Sequence, residues 1–189
     1  MLFCMQKKRH MPVGIQSFTS MIEGKYVYAD KTHFIPKLEE LGRTNFLARP
    51  RRFGKSLFVS TLEAYFKGKK ELFEGLAIEK IKAESGEEWQ SYPVLKMDLN
   101  SGMYTEKEHL KTVLDFHVNE WKRAYGVECE YKDAVTAFFY IIKVLYEKFG
   151  KKVVVLVDEY DKPLVATLDN PELNDYYRTV LKAFYGVIK

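Results

Sequence analysis

The 189 residues, 47% hydrophobic and 30% charged with a formal net charge of +4, fit a globular domain with its own core; they do not fit a disordered or fibrous chain. The two cysteines, Cys4 and Cys129, have neither metal nor redox spacing, which excludes a zinc ribbon or a disulfide framework. Met1–Met5 is too short for a secretory signal, with its charges after it and not before, and no stretch approaches the roughly 20 apolar residues of a membrane span. The expected setting is therefore the cytoplasm, with no membrane partner.

The charge is unevenly placed. Residues 1–56 carry eleven Lys/Arg against four Asp/Glu, while the remainder is net acidic. A basic first third that culminates in Arg49, Arg51, Arg52 and Lys55 suits a polyanion such as a nucleotide or nucleic acid.

In chain order, residues 1–11 read as a flexible lead. Residues 12–43 read as an N-terminal extension packed near a nucleotide site, and 44–189 as a P-loop core that ends short of completion. Tyr26-Val27-Tyr28 is β-rich; Asp30-Lys31-Thr32 turns into a helix running to about Leu41, with Gly42 as its C-cap. Phe46-Leu47-Ala48 predicts the first parallel strand. The next helix places Leu57, Phe58, Leu62, Tyr65 and Phe66 on one face and stops at Gly68.

Residues 69–92 read as a short helical turn and a polar loop around Ser85-Gly86. Pro93–Leu99 predicts a second strand, with Pro tolerated at its start. Two long helices follow. Leu110, Val113, Leu114, His117, Val118 and Trp121 mark the first; Val135, Phe138, Phe139, Ile142, Leu145 and Phe149 mark the second, which Gly150 ends. Val153–Val157 is five apolar residues in a row, the pattern of a central strand buried on both faces. Asn170 and Pro171 then cap and open a last helix carrying Leu173, Tyr177, Val180, Leu181 and Phe184. Strands alternating with helices predict an α/β fold with a mostly parallel sheet.

Thr44–Phe66 is the segment around which the rest is organised. A short apolar run leads into a basic loop that ends in Gly54-Lys55-Ser56 and opens onto an amphipathic helix. In that order the backbone N–H groups of Arg52, Phe53, Gly54, Lys55, Ser56 and Leu57 wrap phosphate at the positive end of the helix. Lys55 reaches the terminal phosphates, and the Ser56 hydroxyl ligates Mg²⁺. The general pattern G-x-x-x-x-G-K-[ST] is broken only at its first position, where Arg49 stands.

The second constellation is Asp158-Glu159, leaving the Val153–Val157 strand. Phosphoryl transfer needs one carboxylate to hold Mg²⁺ and another group to orient the attacking water; adjacent acids at a strand end point different ways and divide those tasks. Asp98 and Asp161 are lesser acidic candidates. His117, on an apolar helix face, reads as a core histidine.

Together Arg49-Pro50-Arg51-Arg52-Phe53-Gly54-Lys55-Ser56 and Val155-Leu156-Val157-Asp158-Glu159-Tyr160-Asp161-Lys162-Pro163 resemble the AAA-ATPase-like family of bacterial proteins. Gly14-Ile15-Gln16-Ser17-Phe18 and Tyr28-Ala29-Asp30-Lys31-Thr32 are similar as well, and in that family the loop also lacks its first Gly. The resemblance implies a P-loop NTPase core, a RecA/AAA-like three-layer sandwich incomplete in these 189 residues, that binds ATP with Mg²⁺. It implies that Lys55 and Ser56 form the Walker A pair, that Asp158 is the Walker B metal acid, and that Glu159 and Lys55 are catalytic.

Members commonly continue into a further part of the ATPase module and a PD-(D/E)XK nuclease-like domain. Nucleic acid, reached through such a domain, and an oligomeric neighbour are the macromolecular partners this implies. The expected function is thus an Mg²⁺-dependent ATPase module that couples nucleotide state to an attached domain or partner. The alternative is a non-hydrolysing, nucleotide-gated regulatory or DNA-associated module.

Overall fold

The computed structural model describes residues 10–48, 50 and 53–188. The chain divides into two compact units, the first ending at Ser91 and the second beginning at Tyr92. In the first, the helices among the described residues are α1 (Phe18–Glu23), α2 (Ile35–Glu40), α3 (Lys55–Phe66) and α4 (Ala77–Ser85). In the second are β1 (Val94–Asp98), α5 (Lys107–Tyr125), α6 (Ala134–Phe149), β2 (Val154–Asp158), the single turn α7 (Lys162–Val165) and α8 (Pro171–Gly186). The result is a mixed α/β fold, mostly helical, with a two-stranded parallel sheet.

The first unit is built around Phe18, Ile35, Ala64, Tyr65, Leu72, Phe73 and Ile78, all buried. Ser17 starts α1 because its Oγ accepts the Ser20 N–H, leaving one fewer orphan donor in the first turn. Phe18 is fully buried against the rings of Tyr28 and Phe73. Its N–H donates to Ser60 Oγ on α3 at 2.9 Å, so one hydrogen bond ties the start of α1 to the middle of α3.

Asp30 and Thr32 act at still longer range. The Asp30 carboxylate accepts the Thr32 N–H (2.8 Å), the Thr32 hydroxyl (2.7 Å) and the Ala77 N–H (2.7 Å). Thr32 Oγ1 in turn accepts the Ile78 N–H at 3.1 Å. These two side chains therefore cap α4 from more than forty residues away, and no side chain of α4's own N-cap residue, Leu76, does so.

Three expectations for this unit change. Residues 44–48 carry no regular structure, and Phe46 is 67% exposed. A strand needs a partner for its ladder, and none of the described strands pairs here; instead Asn45 Nδ2 donates to the Leu38 and Gly42 carbonyls, folding the segment back on the end of α2. Tyr26-Val27-Tyr28 forms only an isolated bridge, from Tyr26 to His10. The deeply buried face of α3 is Ser60, Thr61, Ala64 and Tyr65, because small side chains let α1 approach closely; Leu57, Leu62 and Phe66 pack at the margin of the core.

In the second unit β1 and β2 pair residue for residue, from Val94 with Val154 to Asp98 with Asp158. Leu95, Met97 and Leu99 join Leu110, Leu114, Val118 and Trp121 of α5, Phe138, Ile141 and Leu145 of α6, and Tyr177, Leu181 and Phe184 of α8 in one core. Phe138 and Phe184 stack at 4.6 Å between centroids. Asp133 and Asn170 are the N-caps of α6 and α8, each accepting a backbone N–H three residues on.

Two expectations are corrected. Val154–Val157 is half-buried and does not have the burial of a central strand; β2 has a single strand partner among the described residues. On α6 the buried stripe is Ala134, Ala137, Phe138, Ile141 and Leu145, while Phe139 and Phe149 are exposed. That helix is apolar nearly all round, so its sequence does not distinguish the inner stripe from the outer one. No helix among the described residues is long and apolar enough to cross a membrane.

Candidate functional site

Gly54 adopts the left-handed conformation (φ +74°) and is the N-cap of α3. Only glycine takes this conformation without strain. Here it turns the chain directly into the helix, with Lys55 as first helical residue. The first intrahelical bond runs from the Phe58 N–H to the Gly54 carbonyl, and the N-cap residue, a glycine, supplies no side-chain cap of its own. The preceding N–H groups, Lys55 to Leu57, lie ahead of that bond and outside the i→i−4 ladder. They carry the positive end of the helix dipole.

Among the described residues, a Cβ built on Gly54 would meet nothing within 4 Å. Lys55 and Ser56 are half-buried and Phe53 exposed. Leu57 turns its side chain into the first-unit core, which leaves its backbone as the part able to meet a ligand. Arg49, Arg51 and Arg52 lie outside the described residues. The local chemistry fits an anion: amide donors at a helix start, an ammonium and a hydroxyl on one helical turn.

Asp158 ends β2 and is 6% exposed. Its Oδ1 accepts the N–H of Glu159 at 3.0 Å. Glu159 itself has φ +50°, a conformation that costs a non-glycine residue about 1–2 kcal/mol, and it swings the chain from the strand into the turn that opens α7. A carboxylate of this kind, held at a strand end beside a second acid, suits a hard divalent cation. Among the described residues no group of three or more His, Cys, Asp and Glu forms a ready-made metal cage, so any cation here would rely on further oxygens from water or phosphate.

The segment after Glu159 is pinned from α8. Asn174, buried, donates to the Leu164 carbonyl (2.7 Å) and to Thr167 Oγ1 (2.9 Å). Thr167 donates to the Pro163 carbonyl at 2.9 Å. Arg178 completes the chain by donating to Asn174 Oδ1. Asp161 is the N-cap residue of α7.

Next to Asp158 lies its register partner Asp98. Asp98 is exposed, and its side chain accepts the Asn100 N–H at the 3-10 turn Leu99–Ser101. The outer edge of β1 is held by α5. Tyr125 Oη accepts the Val94 N–H and donates to the Val94 carbonyl, Trp121 Nε1–H donates to Lys96 O, and His117 lies 3.0 Å from Asp98 O. The last partner is a carbonyl, so the His117 Nε2 carries the proton. Burial holds the imidazole below its ordinary pKa, against the opposing pull of Asp98, and keeps it neutral. Neither the His117 contact nor the Asn174–Thr167 network was among the sequence-derived site residues; the four-residue spacing of His117, Trp121 and Tyr125 is the trace that sequence alone offers.

Gly54, Lys55, Ser56 and Leu57 are thus consecutive at the start of α3 in the first unit, and Asp158 and Glu159 consecutive at the end of β2 in the second. Comparison with known proteins bears on both. An uncharacterized protein of the vnfD 5′ region of Azotobacter chroococcum mcd 1 is 37% identical over 184 residues, which is 96% of this chain. The chain spans about a third (35%) of that relative's length. No solved structure matches. The family described as predicted AAA-ATPase matches residues 12–189, taking in both acids and the whole of the Gly54 turn, and the chain belongs to this AAA-ATPase-like family.

Proposed function

We propose that the chain is the Mg²⁺-dependent ATP-binding and ATP-hydrolysing module of an AAA-ATPase-like protein, of the P-loop RecA/AAA class, coupling nucleotide state to an attached domain or partner. The observation that carries this is the left-handed Gly54 opening straight onto α3 with Lys55 and Ser56 in its first turn. In this assignment the backbone N–H groups of residues 52–57 bind the phosphates. The Lys55 ammonium neutralises charge on the terminal phosphate. Ser56 and Asp158 hold the metal, directly or through water, and Glu159 orients the attacking water and accepts its proton. When bound, Mg²⁺ draws negative charge from the phosphate oxygens as the terminal phosphoryl group transfers. Family membership supports nucleotide binding; ATP over other nucleotides, the metal and the residue roles are our assignment.

The test pairs two variants. Lys55→Ala is expected to abolish ATP binding in calorimetry, and Glu159→Gln to keep binding while losing steady-state phosphate release. Unchanged ATP affinity in Lys55→Ala refutes the site. A second assignment, a non-hydrolysing nucleotide-gated or DNA-associated module, draws on the basic first third of the chain. DNA-independent turnover by these 189 residues eliminates it.

A further inference from the structure

The outer edge of β1 is closed in an unusual way. The Pro93 carbonyl accepts the Val154 N–H, so residues 93, 95 and 97 direct their backbone groups toward β2, and 94, 96 and 98 direct theirs outward. Those outward groups are taken by side chains four apart on one stripe of α5: Tyr125 at Val94, Trp121 at Lys96 and His117 at Asp98. The match is metrical. Four helical residues advance about 6 Å and two strand residues about 6.6 Å, so a helix antiparallel to the strand keeps three rungs in register. The third rung falls at the carboxylate end of the sheet, where Asp98 lies beside Asp158.

We infer that His117 is a positioning residue for this acid end: its Nε2–H holds the Asp98 carbonyl and, through the β1–β2 register, fixes where Asp158 presents its carboxylate to a divalent cation. The inference rests on the Mg²⁺–ATP assignment above. The rungs are not equivalent in this respect. Trp121 and Tyr125 act at Lys96 and Val94, farther back along the strand, whereas nothing of β1 extends past His117's partner; Asp98 passes directly into the 3-10 turn at Leu99–Ser101. The imidazole is itself fixed, with the Trp121 ring tilted beside it at 6.3 Å and the Phe116 ring edge-on at 5.3 Å.

The experiment compares His117→Leu, His117→Gln and Tyr125→Phe in the 189-residue chain, reading Mn²⁺ affinity by electron paramagnetic resonance with a non-hydrolysable ATP analogue, alongside thermal melting. His117→Leu is expected to weaken Mn²⁺ binding about tenfold, the lower range for loss of a group that orients a metal ligand. Affinity for the analogue without metal should not change. His117→Gln, whose amide reaches the Nε2 position, should restore most of the affinity. Tyr125→Phe, which frees Val94 at the far end of the strand, should lower the melting temperature yet leave Mn²⁺ affinity unchanged.

Equal Mn²⁺ affinity in His117→Leu and wild type overturns the inference and leaves the Mg²⁺–ATP assignment standing, as does an equal loss in Tyr125→Phe. Failure of the wild-type chain to bind Mn²⁺ with the analogue removes both. Should His117→Leu not fold, His117→Gln against His117→Asn decides. Asn places its amide at the Nδ1 position and should lose the affinity that Gln keeps; the reverse order refutes the inference.

Discussion

Replacing Asp30 by Ala is expected to destabilise the first unit by about 2–3 kcal/mol at neutral pH. The side chain accepts three donors, the Thr32 N–H and hydroxyl and the Ala77 N–H. Loss of a helix cap costs roughly 0.5–2 kcal/mol, and a hydrogen bond to a charged group contributes roughly 1.5–3 kcal/mol. Water replaces part of this because Asp30 is only half-buried, which keeps the total well below the sum over three bonds. Thr32 also loses its anchor, and with it the Ile78 N–H at the next position of α4 loses a fixed acceptor. Asp30→Asn retains a carbonyl oxygen without the charge and should cost about half as much.

The same site predicts a pH dependence. Burial raises the Asp30 pKa, but the N–H groups of Thr32 and Ala77, the Thr32 hydroxyl and nearby His33 outweigh it, and the net shift is downward from 3.8. A depressed folded-state pKa gives stability that is complete above the unfolded value and fades as pH falls through the folded one. The gap between wild type and Asp30→Asn should therefore hold from pH 7 to about pH 4 and narrow below it.

Urea unfolding followed by Trp89 fluorescence in a Trp121→Phe background isolates this unit, because Trp89 lies against Tyr65 and Phe73 while the other tryptophan belongs to the second unit. A loss below about 0.5 kcal/mol for Asp30→Ala, the size of an ordinary surface substitution, refutes the capping role. A gap between wild type and Asp30→Asn that is as wide at pH 3 as at pH 7 refutes the charge.

Glu159→Gly releases the left-handed strain at φ +50° and is expected to raise the stability of the second unit by up to about 1 kcal/mol, read by Trp121 fluorescence in a Trp89→Phe background, while phosphate release is lost. Equal or lower stability refutes the strain. Asn174→Leu leaves the Leu164 carbonyl and Thr167 hydroxyl short of a donor and should cost about 1–3 kcal/mol in the same assay. Combined with Thr167→Val, it should cost clearly less than the two separate losses added, because they break one network; strict additivity refutes the network.

What was legible in the sequence follows from how local each signal is. The start of α8 was readable because Asn170 and Pro171 cap and open it within one turn. The Gly54 turn was readable for the same reason. α4 was not, since its capping groups stand at Asp30 and Thr32, far away in sequence, and its own N-cap residue is Leu76. Phe46–Ala48 forms no strand, because β-propensity says nothing of whether a neighbouring strand exists and Asn45 Nδ2 donates instead to the Leu38 carbonyl of α2. The five apolar residues before Asp158 mark a strand buried on two faces only where helices cover both, and a run of apolar residues does not say how much of that cover is present; here the strand is half-buried.

The candidate site divides along the same line. Lys55, Ser56, Asp158 and Glu159 are visible as short motifs because the roles proposed for them depend on residues next to them in the chain. His117 is not, because an apolar-face histidine looks the same whether its N–H meets a carbonyl at the sheet's acid end or any other acceptor. The family-like segments ahead of the loop fall on the structural side. Phe18 is buried with its N–H on Ser60 of α3, and Asp30 and Thr32 cap α4, so they brace the helix that carries Lys55 and the helix that follows it. Loss of nucleotide binding in variants of Phe18, Asp30 or Thr32 would accordingly track loss of the first unit's fold, with the same midpoint in urea. Loss in Lys55→Ala would occur with the fold intact. That contrast separates a residue that holds the site together from one that meets the ligand.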